Sequence, residues 1–126
     1  MQKVTGIGGV FFKARNPQQL MEWYNEYLGI QFQHGYIQFK WIDDQGNKAT
    51  GSTSLSIFKE ESTYFSPSEK PYMINFIVSD LRALLAELRE KGVTIAGDMQ
   101  EHDYGRFGWI IDPEGNKIEL WEPIEG

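Results

Sequence analysis

The chain contains no cysteine. Disulfides, thiolate metal sites and cysteine nucleophiles are therefore excluded. Basic residues are in short supply: 12 Lys and Arg stand against 18 Asp and Glu, for a formal net charge of −6. Binding nucleic acid requires the opposite balance, because phosphates must be neutralised. An overall negative field favours a cationic partner instead, and also aids solubility. No apolar run approaches the roughly 18 residues of a membrane helix. The opening "MQKVTGIGGV" has no apolar stretch of the signal-peptide kind. A cytoplasmic chain with no membrane partner is the expectation.

What is present suits a single domain. There are 126 residues, 40% of them apolar, with eight Phe, six Tyr and four Trp to build a core or line a pocket. "VTGIGGVFFKA" is β-branched and aromatic and reads as a strand. A helix follows it. Asn16 suits the N-cap, Pro17 the first helical position and Gln19 the capping box, while Leu20, Tyr24, Tyr27 and Leu28 form one apolar stripe and Gly29 stops the helix. "IQFQ", "YIQFKWI" and "STSLSIF" read as strands, with "DDQGNK" as the turn between the last two. "KEESTYFSPSEK" is polar and reads as a linker.

The order then restarts. "YMINFIV" is a strand, and Asp80 caps a helix whose Leu81, Leu84, Leu85 and Leu88 share a face. Glu87 and Lys91 are placed for an i,i+4 ion pair, and Gly92 ends the helix. Strands follow near "VTIAG", at "GRFGWII" and at "KIELWE", with "DPEGNK" as the last turn. The two caps lie 64 positions apart, the helix stops 63 and the turn aspartates Asp43 and Asp112 69. The chain is therefore an internal duplication of βαβββ order. Module one spans 1–62, a linker 63–69 and module two 70–126 of a single domain. Two such sheets can enclose a cleft.

"INFIVSDLRALLAELREKG", "YGRFGWIIDPEGNKIELWEP" and "VFFKARNPQQLMEWYNEYLGI" resemble the modules of the vicinal oxygen chelate superfamily, which includes glyoxalase I, bleomycin resistance proteins and extradiol dioxygenases. The likeness covers nearly the whole chain. It implies an α+β fold of two tandem βαβββ modules, a glyoxalase-like sheet with a cleft and helices on its outer faces. It also implies a homodimer. Many chemistries share such a fold, so it does not by itself assign one.

The resemblance further implies four metal-ligand positions, one in the first and one in the last strand of each module. These fall on Gly9, Ser56, Met73 and Glu119. Gly has no donor, a thioether is too soft for a hard divalent ion, and a serine hydroxyl is a poor ligand. Glu119 alone cannot hold such an ion. No metal and no cofactor are expected. A register shift of two residues would put Asn75 in place of Met73.

Strand alternation gives the cleft lining instead. Phe11, Ser56, Met73, Asn75, Glu119 and Trp121 lie on the expected cleft face, and Tyr104, Arg106 and Trp109 come from the loop and strand beside it. Aromatics with a few polar groups suit a small molecule, and the acidic balance suits a cationic or aromatic one. Glu119 has three readings: a lone base or cation anchor, a partner of Lys13 or Arg106, or a solvent-facing carboxylate. His102, Asp103, Tyr104 and Arg106 form the best polar cluster near the cleft. His102 is otherwise a solvated loop residue, and His34 lies in a turn. The first function reading is a metal-independent small-molecule binder. The alternatives are a lyase, isomerase or dioxygenase with a displaced metal site, acid–base catalysis by Glu119 and His102, or a subunit acting through an interface. "DPEGNK" is too short for a calcium loop, and "GIGG" is not followed by a helix that would make it a phosphate loop.

Overall fold

Asn16 and Asp80 open the two helices by one device: each side chain accepts the backbone N–H three residues on, from Gln19 and Ala83, both at 3.1 Å. A computed structural model describes residues 3–124 of the chain. Its elements run β1 (Val4–Ala14), α1 (Pro17–Leu28), β2 (Tyr36–Ile42), β3 (Lys48–Lys59), β4 (Tyr72–Val78), α2 (Leu81–Glu90), β5 (Thr94–Ile95), β6 (Gln100–His102), β7 (Gly105–Ile111) and β8 (Lys117–Pro123). The strands form one 8-stranded sheet in the order β2-β3-β1-β4-β8-β7-β5, with β6 paired to β7. This is the α+β architecture expected from the sequence.

The duplication is visible in the pairing. β1 runs parallel to β3 as β4 does to β8, and the antiparallel β1–β4 pair joins the two halves. The two "GNK" turns are built alike. The Asp43 carboxylate accepts from the N–H groups of Gln45 and Asn47, and Asp112 from those of Glu114 and Asn116, all at 2.9 Å. Gly46 and Gly115 take φ of 82° and 83°, a conformation that glycine adopts without steric penalty.

The halves differ where local chemistry differs. "IQFQ" does not form a strand; only Gln33 bridges to Tyr36. His34 and Gly35 both have positive φ, 56° and 87°, and fold the chain back too sharply for a ladder to extend. The second half gains β6, which pairs with the start of β7. Glu87 takes up the expected contact with Lys91 and a further one with Lys3.

The sheet has an apolar layer on each face. On the helix side, Val78, Leu81, Leu85 and Leu120 pack with Phe76, Leu88, Ile110 and Ile118. On the opposite face Phe65, Met73 and Trp109 cluster with Phe11 and Phe58. Phe65 comes from the polar segment before β4 and is fully buried. Among the described residues no helix is long and apolar enough to cross a membrane.

Candidate functional site

Register places one row of residues straight across six strands. It runs Gln38–Ser54–Gly9–Asn75–Glu119–Trp109, each paired with the next. Alternation turns the five side chains of this row toward the face away from the helices, Gly9 contributing none. The row passes through Asn75 and not Met73. Met73 lies two residues along β4, opposite Phe11, and is buried under Phe65.

Glu119 is the centre of this row and is only 2% exposed. Three groups donate to its carboxylate. Asn75 Nδ2 reaches Oε1 at 2.7 Å, Trp109 Nε1 reaches Oε2 at 2.9 Å, and the Tyr64 hydroxyl also reaches Oε2. Three donors and no acceptor is the environment of an ionised, acceptor-only carboxylate. Two lone-pair directions lie on each oxygen, so one position on Oε1 remains. Burial first, and the Glu119 charge second, push the Tyr64 hydroxyl well above its ordinary range, so it stays protonated and donates.

No cation pairs with Glu119 among the described residues. The expected pairing with Lys13 or Arg106 does not form. Lys13 Nζ sits 5.3 Å above the Phe65 ring. Arg106 bonds Glu101 at 2.9 Å and Glu122 at 2.8 Å, and Glu122 in turn accepts the Leu81 N–H at the start of α2. Arg106 therefore belongs to the helix face, because it stands one residue out of phase with Phe107 on β7. Lys117 feels the Glu119 charge without pairing with it. Its amine lies over the Tyr64 and Trp109 rings and donates to the Tyr64 carbonyl. Burial holds its pKa below the usual lysine range, and the Glu119 charge partly opposes that.

A cleft of about 510 Å³ opens beside Glu119, lined by Gly8, Phe11, Tyr36, Gln38, Ser54, Asn75, Tyr104, Phe107, Glu119 and Trp121. Five of these ten are aromatic, and none is a lysine or arginine. Phe107 and Trp121 stack at 5.9 Å and form one wall. Gly8 leaves no room for a side chain. A Cβ there would come within 2.3 Å of Asn75 Oδ1 and 2.9 Å of both Ile77 and Trp121.

Of the side chains expected in the cleft, Phe11, Asn75, Tyr104, Glu119 and Trp121 line it. Trp109 donates to Glu119, Met73 packs with Phe65, Ser56 pairs with Phe11 across β1 and β3, and Arg106 is on the other face. The polar cluster of the β6–β7 hairpin comes apart. His102 stacks on Tyr104 at 5.1 Å, meets Phe107 edge-on, and has its Nε2 3.2 Å from Gln100. It makes no contact with Glu119. Sequence reasoning missed Tyr64 and Phe65, which it placed in a linker. Their signal was two adjacent aromatics inside a Ser- and Glu-rich stretch, which solvent alone would not favour.

The four positions that the family resemblance implies for metal ligands do not fit an ion here. Gly9, Ser56 and Met73 supply no strong donor, and Glu119 already receives three hydrogen bonds. Among the described residues no three His, Asp or Glu side chains converge as a metal would require.

A family model described as a glyoxalase-like domain matches residues 9–121. No curated protein matches the chain. Solved structures share its fold. Methylmalonyl-CoA epimerase from Mycobacterium tuberculosis is 21% identical with a TM-score of 0.67, over 99% of this chain and 92% of that one. The Streptomyces coelicolor methylmalonyl-CoA epimerase in complex with 2-nitronate-propionyl-CoA is 19% identical with a TM-score of 0.69, over 97% and 99%. A glyoxalase/bleomycin resistance protein/dioxygenase superfamily member from Vibrio splendidus is 11% identical with a TM-score of 0.60, over 92% and 97%.

Proposed function

The chain belongs to the glyoxalase-like domain family, and from that premise we propose that it binds a small aromatic cation in the cleft over Glu119, without a divalent metal. One observation carries the reading: a buried carboxylate, held by neutral donors and in no ion pair among the described residues, stands at the floor of an aromatic-walled cleft. A buried charge that no cation touches directly is unfavourable, and Lys117 over the Tyr64 and Trp109 rings offsets it only from a distance, so a cation that reaches the carboxylate gains a direct ion pair. The rings of Phe11, Tyr36, Phe107 and Trp121 add cation–π attraction. The volume suits a ligand of one or two rings.

The epimerase structures above are of proteins that take CoA esters, which are anions. This cleft has no lysine or arginine in its lining to meet an anion. A base role for Glu119 is less well supported, since three of its four lone-pair positions are filled and His102 is stacked elsewhere. The expected homodimer is supported by the side chains that α1 leaves in solvent, Trp23, Tyr27 and Leu28, each more than half exposed.

The test is calorimetric titration with 2-phenylethylammonium, 2-phenylethanol and 3-phenylpropionate, three probes of like size and different charge. The ammonium should bind at least tenfold more tightly than the alcohol, and the carboxylate should not bind. Equal affinity for all three, or preference for the carboxylate, would refute the cationic assignment.

A further inference from the structure

The segment between β3 and β4 does more than connect. Phe65 fills the floor between Met73 and Trp109 and is fully buried. Tyr64 next to it is 39% exposed, yet its hydroxyl is turned inward onto Glu119. Its ring stacks on Phe58 at 5.6 Å and 13°, and stands edge-on to Trp109 at 6.4 Å. Phe65 is thus an anchor, whereas Tyr64 is a cover with one face in water.

The place that Tyr64 takes is chemically defined. A phenol lies against Phe58, with its hydroxyl on an oxygen that also accepts from the Trp109 indole. Tyr64 and the cleft share one carboxylate: Tyr64 donates to Oε2 from the segment, while the cleft walled by Phe107 and Trp121 opens beside the same residue without Tyr64 in its lining. A donor on Oε2 withdraws charge from the carboxylate as a whole, so it weakens what Oε1 offers.

We propose that Tyr64 is a specificity-determining cover: it fills a phenol-shaped subsite on Glu119 and so limits which ligands the cleft admits. The proposal rests on the cleft over Glu119 being the binding site. Removing the hydroxyl strengthens the hold on a cation. Removing the whole side chain opens a second subsite that takes a free phenol.

Two variants test this. Tyr64→Phe keeps the ring and should bind 2-phenylethylammonium three- to tenfold more tightly than the parent chain. Tyr64→Ala should bind p-cresol, read as a shift of the Trp109 indole N–H resonance, which is assigned by its loss in Trp109→Phe. Toluene should shift it far less, because it has no hydroxyl for Glu119, and the parent chain should respond to neither. Circular dichroism confirms that both variants fold. Unchanged or weaker ammonium binding in Tyr64→Phe overturns the proposal, as does a Tyr64→Ala chain that ignores p-cresol or treats toluene the same. If the parent chain binds no ammonium at all, the cation reading fails and the p-cresol measurement alone decides whether Tyr64 covers a subsite.

Discussion

Asn75 and Glu119 are neighbours across the β4–β8 pair, and the amide Nδ2 donates to the carboxylate Oε1 at 2.7 Å. That bond fixes which way the amide points, since the reverse orientation would set oxygen against oxygen. Asn75 Oδ1 is then turned toward Gly8, where it is buried and has no hydrogen-bond partner among the described residues.

Glu119→Gln removes the charge and keeps the shape. Its amide NH₂ must face at least one of the three donors that now converge on the carboxylate. We expect a stability loss of about 1–3 kcal/mol by chemical denaturation, the range for an unsatisfied buried group. Ammonium binding should weaken by roughly tenfold or more, the loss of one charge-assisted bond. A variant that binds the cation as the parent does would show that the carboxylate is not the anchor.

The Tyr64 hydroxyl also sets a dependence on pH. Burial and the Glu119 charge raise its pKa above the ordinary tyrosine value of about 10, so the folded chain holds this proton more tightly than the unfolded one. The resulting stability is present in full below about pH 10 and declines as pH rises beyond it. Unfolding free energies measured from pH 9 to 11.5 should fall more steeply for the parent than for Tyr64→Phe. Parallel curves would contradict the inward, protonated hydroxyl.

Gly8→Ala places a methyl group against Asn75, Ile77 and Trp121. Overpacking of this kind destabilises by about 1–3 kcal/mol. Because Trp121 is also a wall of the cleft, the same change should weaken ammonium binding. Thermal melts and titration on one sample separate the two effects, and a Gly8→Ala chain that binds normally would place the ligand elsewhere.

Phe65→Ala empties the space between Met73 and Trp109. Deleting a fully buried Phe side chain typically removes about 3–5 kcal/mol. Proteolysis should then cut the segment around it, which in the parent is pinned at this point. If stability and cleavage stay as in the parent, Phe65 is not the anchor.

The regular elements were legible because each rests on short-range chemistry. Asn16 and Asp80 cap as their side chains dictate, Gly29 takes its left-handed φ of 70°, and the two Asp-to-Gly turns repeat bond for bond. Alternation sorted the faces of the strands well enough to put Phe11, Asn75, Glu119 and Trp121 on one side. What local pattern cannot carry is register between distant strands. Whether Glu119 sits beside Met73 or Asn75 depends on a two-residue offset set by packing. The phase of β7 was also invisible, so Arg106 was expected in the cleft that Phe107 lines. Tyr64 and Phe65 were hidden by their polar surroundings, since a fold-back onto the sheet leaves no periodic trace.

The two helices hold to the sheet unequally. α2 buries Leu81 and Leu85, while α1 has no buried residue at all. Local opening follows buried contacts, so amide hydrogens of α1 should exchange with solvent well before those of α2. The carboxylate and all three of its donors lie outside α1 and the strands next to it, in the later part of the chain. The first repeat can therefore loosen, or take up a partner along α1, while the surroundings of Glu119 stay in place. Two halves of one plan thus differ: a firm one that holds the charge and a yielding one that closes the wall around it.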